Sequence, residues 1–538
     1  MLKIYIFNNY NSILMNVTIN DRNYISYRYD GDCDINPAIL KLFNKDQISL
    51  DTKKIISSPT RSNIIPGILV CDKTFGRKGK LLYRCIPNDT CLPIFLIPYE
   101  IKNMNFSKVF PNQYILFKFS EWNDKHPLGI ITQTIGSVEN NEAFYEYQLY
   151  CKNLYIPINK FNLATKKSLE LYTYEEYIEQ IKHKYNVEDR TSYQVFSIDP
   201  EGSLDFDDAF SINNNILSIY ISNVTLWLDI LNLWDSFSER VSTIYMPNKK
   251  YPMLPTILSD NICSLKANQK SFAFTMDINM DTFEIKYSNT MINPYKNYCY
   301  EEASLLKDTN YIMIKDACIL QKSSLGTYSM NITDKSQDSH DIVSYLMITM
   351  NYYTSKELLK FNNGIFRIAK KNNIDIDCDE SIKKFMLINS TAGEYIDIND
   401  SQNKSVAHEM LGLDSYIHIT SPIRRLVDIL NIIQFQQNTG MVTLDNMNFF
   451  YRWIKKIDTI NIMMKKIKRV QSDSMLLYHF TNSNKLIYDG YGIDNETVYI
   501  PELKSTFHVK TEVGKCKVKL YLFKNEDKLK SKIRLMIL

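Results

Sequence analysis

Between residues 67 and 136, short apolar runs alternate with polar or glycine-containing turns. The runs lie at 67–87, 92–100, 114–122 and 127–136. Runs of this length at close spacing predict β-strands of one or two small β-barrels. A β-sandwich fits the same residues equally well.

A second β pattern occurs near the C-terminus, in KCKVKLYLF (515–523). Apolar side chains alternate there with three lysines and a tyrosine. A period of two predicts a half-buried strand with a basic outer face. Such a strand suits an OB-type nucleic-acid-binding module, and an edge strand protected by lysines fits equally well.

The central part of the chain mixes both periods, which predicts an α+β, multidomain protein. A helical pattern covers 166–190, and strands mix with long helices from 191 to 475. The predicted divisions are a region of unclear fold (1–65), a β-barrel region (66–165), a helical linker (166–190), a mixed domain (191–475) and a C-terminal β domain (476–538).

The composition is that of a folded chain, with 45% hydrophobic residues and a net charge of +3. Any nucleic-acid-binding surface must therefore be local. The ten cysteines include no CxxC pair, which argues against a finger-type zinc site and for a reducing compartment. The first residues do not resemble a secretory leader, and no apolar stretch is long enough to span a membrane. We expect an intracellular, cytoplasmic protein without membrane contact.

Carboxylates are concentrated in FSIDPEGSLDFDDAF (196–210). Asp205 and Asp207 are two residues apart and point the same way in extended backbone, where Asp208 and the returning Asp199 can join them. Carboxylates packed together raise one another's pKa at a cost in stability unless a cation is present. The motif therefore predicts a divalent-cation site.

The spacing excludes a helix-loop-helix calcium site. That motif needs glycine at its sixth position and glutamate at its twelfth. Counted from Asp199, these positions are Leu204 and Phe210. A compact cluster of oxygen ligands favours Mg²⁺ or Mn²⁺, which commonly serve phosphoryl chemistry. The alternative is an acidic turn solvated at the surface.

A second group of charges lies in SYIHITSPIRRLVDIL (415–430). A helix predicted to begin at Pro422 places Arg424 and Arg425 in its first turn. Cations are unfavourable at this end of the helix dipole, whereas a phosphate is favoured there. The arrangement predicts a phosphate-binding site. In the alternative, Asp428 neutralises the arginines.

Three separated motifs resemble the ribonuclease II family, also named the RNB family. IDPEGSLDFDDA (198–209) resembles its first signature and HITSPIRRLVD (418–428) its second. IYMPNKKYPMLPTILSDNICSL (244–265) resembles the family's central stretch, and the three motifs occur in the family's order. The resemblance covers about residues 191–475.

The resemblance implies an RNB catalytic domain, with a mixed sheet and long helices, flanked by small β-barrel domains. The barrel regions would be cold-shock or OB-like, the C-terminal one binding RNA. The implied activity is that of a processive 3′→5′ exoribonuclease, which hydrolyses single-stranded RNA to nucleoside 5′-monophosphates. Its cofactor would be Mg²⁺, with Mn²⁺ as the alternative. Membership of a larger RNA-decay complex is left open.

The family's four acidic positions match Asp199, Asp205, Asp207 and Asp208, so the resemblance implies that these residues bind metal. Asp199 and Asp208 would bind the ion directly. Asp207 would be the most sensitive to substitution, through a second metal ion or the attacking water. With Asp205 it forms the acidic part of the implied catalytic set.

Three further residues follow from the resemblance. Arg424 matches the position that holds the phosphate near the scissile bond, and Arg425 is a further catalytic and RNA-binding candidate. Tyr300 falls where relatives often have a tyrosine that stacks on a terminal base.

One motif departs from the family pattern. Many members carry glutamate in a helix of the form EExMxxAN, which aligns with 341–351, and this chain has Ser344 and Tyr345 there. That glutamate helps to position the reacting nucleotide in relatives, so its loss is expected to affect rate or product length. The leading hypothesis is an active exoribonuclease. One alternative is an RNB-fold RNA-binding protein with weak or no turnover, and another is a nuclease that cuts DNA or internal bonds.

Overall fold

The computed structural model describes residues 39–49, 52–100, 110–325, 338–370, 393–400, 405–442, 447–483, 485–526 and 528–538, and the backbone of three strands between 2 and 28. The chain divides into two compact units, one made of 1–155 and 470–538 and the other of 156–469. Over the described ranges, the helices are all too short or too polar to cross a membrane.

The N-terminal part of the first unit is mostly β-structure. Its elements are β1 (Leu2–Phe7), β2 (Ser12–Ile19), β3 (Asn23–Arg28), β4 (Gln47–Ile48), β5 (Ile55–Ser57), α1 (Pro59–Ser62), β6 (Ile65–Lys78), β7 (Lys80–Pro87), β8 (Phe95–Tyr99), β9 (Gln113–Glu121), β10 (Leu128–Ser137) and α2 (Asn141–Cys151). The first five strands form one sheet in the order β3-β2-β1-β4-β5. This sheet lies in the region for which the sequence predicts no particular fold.

Strands β6 to β10 close into a barrel in the order β10-β8-β7-β6-β9. They lie where the apolar runs predict strands, and buried apolar side chains from β6 to β9 fill the interior. Gly67 permits a close approach of strands, because a Cβ there would lie 2.8 Å from Cys85 Sγ and 3.0 Å from the Phe117 ring. The barrel prediction is confirmed, and the sandwich alternative is wrong for these strands.

The second unit mixes strands and long helices. Its elements are α3 (Asn159–Leu169), α4 (Tyr174–Tyr185), β11 (Glu188–Asp189), β12 (Phe196–Asp199), β13 (Asp208–Asn213), β14 (Ile216–Ser222), α5 (Val224–Ile230), β15 (Ile244–Tyr245), β16 (Lys250–Tyr251), β17 (Ser271–Asn279), β18 (Ile285–Ile292), β19 (Lys296–Cys299), α6 (Thr309–Leu325), α7 (Ser339–Lys360), β20 (Ile365–Ile368), β21 (Glu394–Asp397), α8 (Leu426–Asn438), α9 (Asn448–Ile454) and the first part of α10 (Ile457–Asn482), which belongs to the first unit from residue 470 onward. The predicted helical pattern at 166–190 corresponds to parts of α3 and α4. The predicted domain boundaries stay predictions.

A seven-stranded sheet, in the order β11-β18-β17-β14-β13-β12-β19, organises this unit. The β11/β18 and β12/β19 pairs are parallel, and the other neighbours are antiparallel. All residues of β17 except the last are buried, so both faces of the sheet are covered. The main core joins the sheet to α6, α7 and α8. The predicted α+β class is confirmed.

The C-terminal sheet contains the strand predicted from the lysine alternation. Its elements are β22 (Ile487–Asp494), β23 (Thr497–Ile500), β24 (Ser505–His508), β25 (Gly514–Leu522), α11 (Leu529–Lys532) and β26 (Ile533–Ile537). In β25, Val518 and Leu520 are buried while Lys515 and Lys517 are exposed, as predicted. Because β25 pairs with both β22 and β26, the edge-strand alternative is wrong.

Candidate active site

The four aspartates lie on the segment 199–208, which joins β12 to β13 and is called the acidic connection. Asp199 is the last residue of β12, and Asp208 is the first of β13. The connection is fixed to a neighbouring segment, because Phe206 N donates to Ser264 Oγ at 3.0 Å and Leu265 N donates to Phe206 O at 3.0 Å. The connection is therefore held in place, and its aspartates are buried or partly buried although the turn at residues 200–202 is exposed.

Asp207 links the acidic connection to the arginine motif, which is the segment around Arg424 and Arg425. Its Oδ1 accepts from Ile423 N at 2.9 Å, and its Oδ2 accepts from Arg424 Nε at 3.2 Å. Asp207 is only 3% exposed, whereas the Arg424 side chain is 47% exposed. Burial raises the pKa of Asp207 to about 7, although the Arg424 charge opposes the shift. Asp207 thus fixes a guanidinium that still reaches solvent.

Both oxygens of Asp205 are engaged by the β15–β16 hairpin. Tyr245 Oη donates to Oδ2 at 2.7 Å, and Lys250 Nζ donates to Oδ1 at 3.1 Å. Tyr245 and Lys250 are cross-strand partners, so both reach the same carboxylate. Neither was predicted as a site residue, although both lie in the 244–265 stretch. The sequence feature that could have indicated them is their placement on either side of a short turn.

Asp199 and Asp208 retain oxygens for a ligand. The Oδ2 of each is buried and has no hydrogen-bond partner among the described residues. Burial raises the pKa of Asp199 to about 7. Burial, followed by the charges of Asp199 and Asp207, raises the pKa of Asp208 well above its usual range. Carboxylate oxygens that lack a proton donor are suited to a cation.

These two residues fit a magnesium ion, which proteins usually hold through one or two carboxylates together with water and phosphate oxygens. They do not form a complete protein cage. Over the described part of the chain, no group of three or more His, Cys, Asp and Glu side chains is arranged to hold a metal. Asp205 and Asp207, which were also predicted to bind metal, contact donors of the chain, and their role as metal ligands stays a prediction.

The helix after the arginine motif begins later than predicted. It starts at Leu426, and Arg425 precedes it with extended backbone (φ −135°, ψ 127°). Arg425 forms an isolated bridge with Ser242, and Leu426 N donates to Val241 O at 3.0 Å. This pairing keeps the backbone extended. The predicted start at Pro422 is therefore wrong, and the arginines do not lie in the first turn.

The two arginines have different partners. Arg425 donates to Asp428 Oδ1 at 2.9 Å, and the Asp428 side chain is fully buried. Asp428 also accepts from Ser421 N at 2.7 Å. Asp428 therefore neutralises Arg425, as in the alternative given from the sequence, whereas Arg424 contacts Asp207. A catalytic or RNA-binding role of Arg425 stays a prediction.

Tyr300 lies beside the acidic pair. Its N donates to Asp199 O at 3.2 Å, and burial, then the charges of Asp208 and Asp199, raise the pKa of its hydroxyl. Its ring stacks on His340 with centroids 3.7 Å apart and planes 10° apart. One face of Tyr300 is therefore covered. Stacking of an RNA base on this residue stays a prediction.

Helix α7 brings no glutamate to the predicted position. Ser344 is exposed and Tyr345 is buried in the core. Asn351, which was not predicted as a site residue, accepts from Ile419 N at 2.8 Å and donates to Tyr416 Oη at 3.0 Å. It holds the segment that leads to the arginine motif. A buried asparagine in a largely apolar helix was the available signal.

The family model of the RNB domain matches residues 187–317 and 308–439. Residues 187–439 of the chain therefore contain an RNB domain. The acidic connection and the arginine motif both lie within the matched part of the RNB domain, and the hairpin that contacts Asp205 lies between them.

Sequence relatives are distant and only partly covered. Ribonuclease R of Chlamydia pneumoniae is 26% identical over 409 residues, which are 62% of this chain and 59% of that relative. The chain therefore spans less than two thirds of the length of this relative. The likeness agrees with the RNB-domain match at residues 187–439.

Solved structures share the fold of the chain. Mycoplasma genitalium RNase R in complex with ribose-methylated single-stranded RNA matches with a TM-score of 0.71 and 16% identity, over 100% of both chains. Yeast Ssd1, described as a pseudonuclease, matches with a TM-score of 0.60 and 13% identity, over 94% of this chain and 79% of that one. The RNB fold thus occurs in proteins with and without nuclease activity.

Without divalent ions, the carboxyl groups of the RNB domain should make it less stable as the pH rises. The pKa values of Asp199 and Asp207 are raised from 3.8 to about 7, so the folded state binds more protons than the unfolded state between these values. This contribution is present at low pH and is lost as the pH rises through about 7.

The measurement is thermal unfolding in the presence of a chelator, for the wild type and Asp208→Asn. The variant should gain stability relative to the wild type between about pH 5 and about pH 8, because it lacks one repelling carboxylate. A difference in Tm that does not change with pH would contradict this reading.

Removing Arg425 should destabilise the RNB domain. Arg425→Met leaves the buried Asp428 carboxylate without its ion-pair partner, and breaking such a pair costs about 3 kcal/mol. Urea unfolding checks the change, with Lys465→Met at an exposed position of α10 as the control. Equal stability of the two variants would show that the pair contributes little.

Proposed function

We propose that the chain is a 3′→5′ exoribonuclease that hydrolyses single-stranded RNA processively to nucleoside 5′-monophosphates with Mg²⁺ or Mn²⁺. One observation carries the proposal. Buried carboxylate oxygens of Asp199 and Asp208 lack partners among the described residues. The half-exposed side chain of Arg424 is held beside them by Asp207, and its charge opposes the rise in the pKa of both carboxyl groups. A cation site beside a fixed arginine suits a phosphodiester.

Each residue of this set has a distinct task in the proposal. Asp199 and Asp208 would hold the metal ion, which supplies an activated water and stabilises charge on the phosphate oxygens when bound. Arg424 would bind the phosphate of the scissile bond, since its guanidinium reaches solvent. Asp207 would keep Arg424 in place through its hydrogen bond to Nε. Tyr300 would lie against the terminal nucleotide.

Single-stranded RNA is the proposed partner, and the fold shared with an RNA-bound RNase R supports it. The basic outer face of β25 supports a local RNA-binding surface in the C-terminal sheet. Membership of a larger RNA-decay complex stays open, and the cytoplasmic location stays an expectation.

A second candidate is an RNB-fold RNA-binding protein with weak or no turnover. Two observations favour it: the fold likeness to a pseudonuclease, and Ser344 and Tyr345 at the positions expected for glutamate. The complete set of four aspartates and the arrangement of Arg424 favour the active enzyme.

A substrate panel separates the two candidates. We expect 5′-labelled single-stranded RNA with Mg²⁺ to shorten from its 3′ end with release of nucleoside 5′-monophosphates, even with excess unlabelled RNA added after binding. Duplex RNA and single-stranded DNA serve as comparisons. RNA binding without mononucleotide release would support the second candidate, and equal cutting of DNA would contradict the RNA specificity.

Asp207→Asn should bind single-stranded RNA but release mononucleotides at least about 100-fold more slowly. The amide replaces an acceptor of the Arg424 Nε–H by a group that can present a donor, so the guanidinium loses its position. Asp316→Asn, at an exposed position of α6, is the matched control and should match the wild type. Near-wild-type release by Asp207→Asn would refute the role assigned to this carboxylate.

A further inference from the structure

Lys250 lies between two carboxylates at the edge of the candidate active site. Its Nζ donates to Asp205 Oδ1 at 3.1 Å and to Asp260 Oδ1 at 2.9 Å. The side chains are largely buried, with exposed fractions of 22% for Lys250, 11% for Asp205 and 18% for Asp260. An ammonium with two close carboxylates in a partly desolvated setting is held firmly.

The supporting structure around Lys250 is specific. The β15–β16 hairpin places Lys250 directly opposite Tyr245, whose hydroxyl occupies the other oxygen of Asp205 at 2.7 Å. On the far side, Ser259 Oγ donates to Asp260 Oδ1 at 2.5 Å. Asp205 therefore has a charged donor on one oxygen and a neutral donor on the other.

The four aspartates thus fall into two classes. Asp205 and Asp207 each have a cationic side chain of the chain as partner, Lys250 and Arg424 respectively. Asp199 and Asp208 each have a buried oxygen without a partner among the described residues. A metal ion that bound Asp205 would lie close to the Lys250 ammonium, which is 3.1 Å from Oδ1 and repels a second cation.

We propose that Lys250 is a positioning residue, which fixes Asp205 and whose charge keeps a second metal ion from binding there. The RNB domain of this chain then binds one divalent ion, at Asp199 and Asp208. A catalytic role of this single ion rests on the proposed function. The number of bound ions can be measured whether or not the chain is an exoribonuclease.

The test counts Mn²⁺ ions bound by the full chain without RNA, by electron paramagnetic resonance and calorimetry. The wild type should bind one ion. Lys250→Met should bind a second, weaker ion, because Asp205 loses its ammonium and can accept a cation. Lys250→Arg keeps the charge and should again bind one ion. A merely structural role of Lys250 would not make the number of bound ions follow the charge at this position.

Lys249→Met is the matched control. It removes the same charge from the neighbouring residue, which is exposed and has its ammonium 4.9 Å from the centre of the Tyr251 ring, and it should bind one ion. Two ions in the wild type, or an unchanged count in Lys250→Met, would overturn the inference. If Lys250→Met does not fold, the counts for the wild type and Lys250→Arg decide, and two ions in either would overturn it.

The two proposals can fail separately. One ion in the wild type and two in Lys250→Met, without mononucleotide release from RNA, would keep the role of Lys250 and reject the proposed exoribonuclease. Mononucleotide release by a wild type that binds two ions would keep the proposed exoribonuclease and reject the role of Lys250.

Discussion

The two hydrogen bonds accepted by Asp207, from Ile423 N and Arg424 Nε, connect distant parts of the chain into one site. The bonds have a double effect. They satisfy a carboxylate that is otherwise costly to bury, and they hold Ile423 and Arg424 against the acidic connection. Without this link, the two signatures of the RNB family would be separate charged loops.

Repulsion among the aspartates explains the rest of the site. The carboxylates meet different environments. Asp207 faces a guanidinium, Asp205 faces an ammonium and a phenol, and the Oδ2 atoms of Asp199 and Asp208 face no donor from the described residues. Four residues of one type thus acquire different tasks through their partners. In the proposed function, this division of charge leaves a place for one cation and keeps the Arg424 guanidinium available for a phosphate.

Much of this arrangement could be predicted from local patterns. The barrel strands and the alternation in β25 follow from a period of two, and the acidic cluster follows from spacing and electrostatics. The start of α8 could not be predicted, because the bridge between Arg425 and Ser242 joins residues that are far apart in sequence. Likewise, only the folded β15–β16 hairpin brings Tyr245 and Lys250 onto Asp205. Tertiary pairing, not local propensity, decides these positions.

The anomalous scattering of Mn²⁺ in crystals of the full chain tests this division of charge most directly. We expect one strong peak beside the Oδ2 atoms of Asp199 and Asp208, with Asp205 still bound to Lys250 and Asp207 still bound to Arg424. A strongest peak that is coordinated by Asp205 or Asp207, with Lys250 or Arg424 displaced, would contradict this expectation.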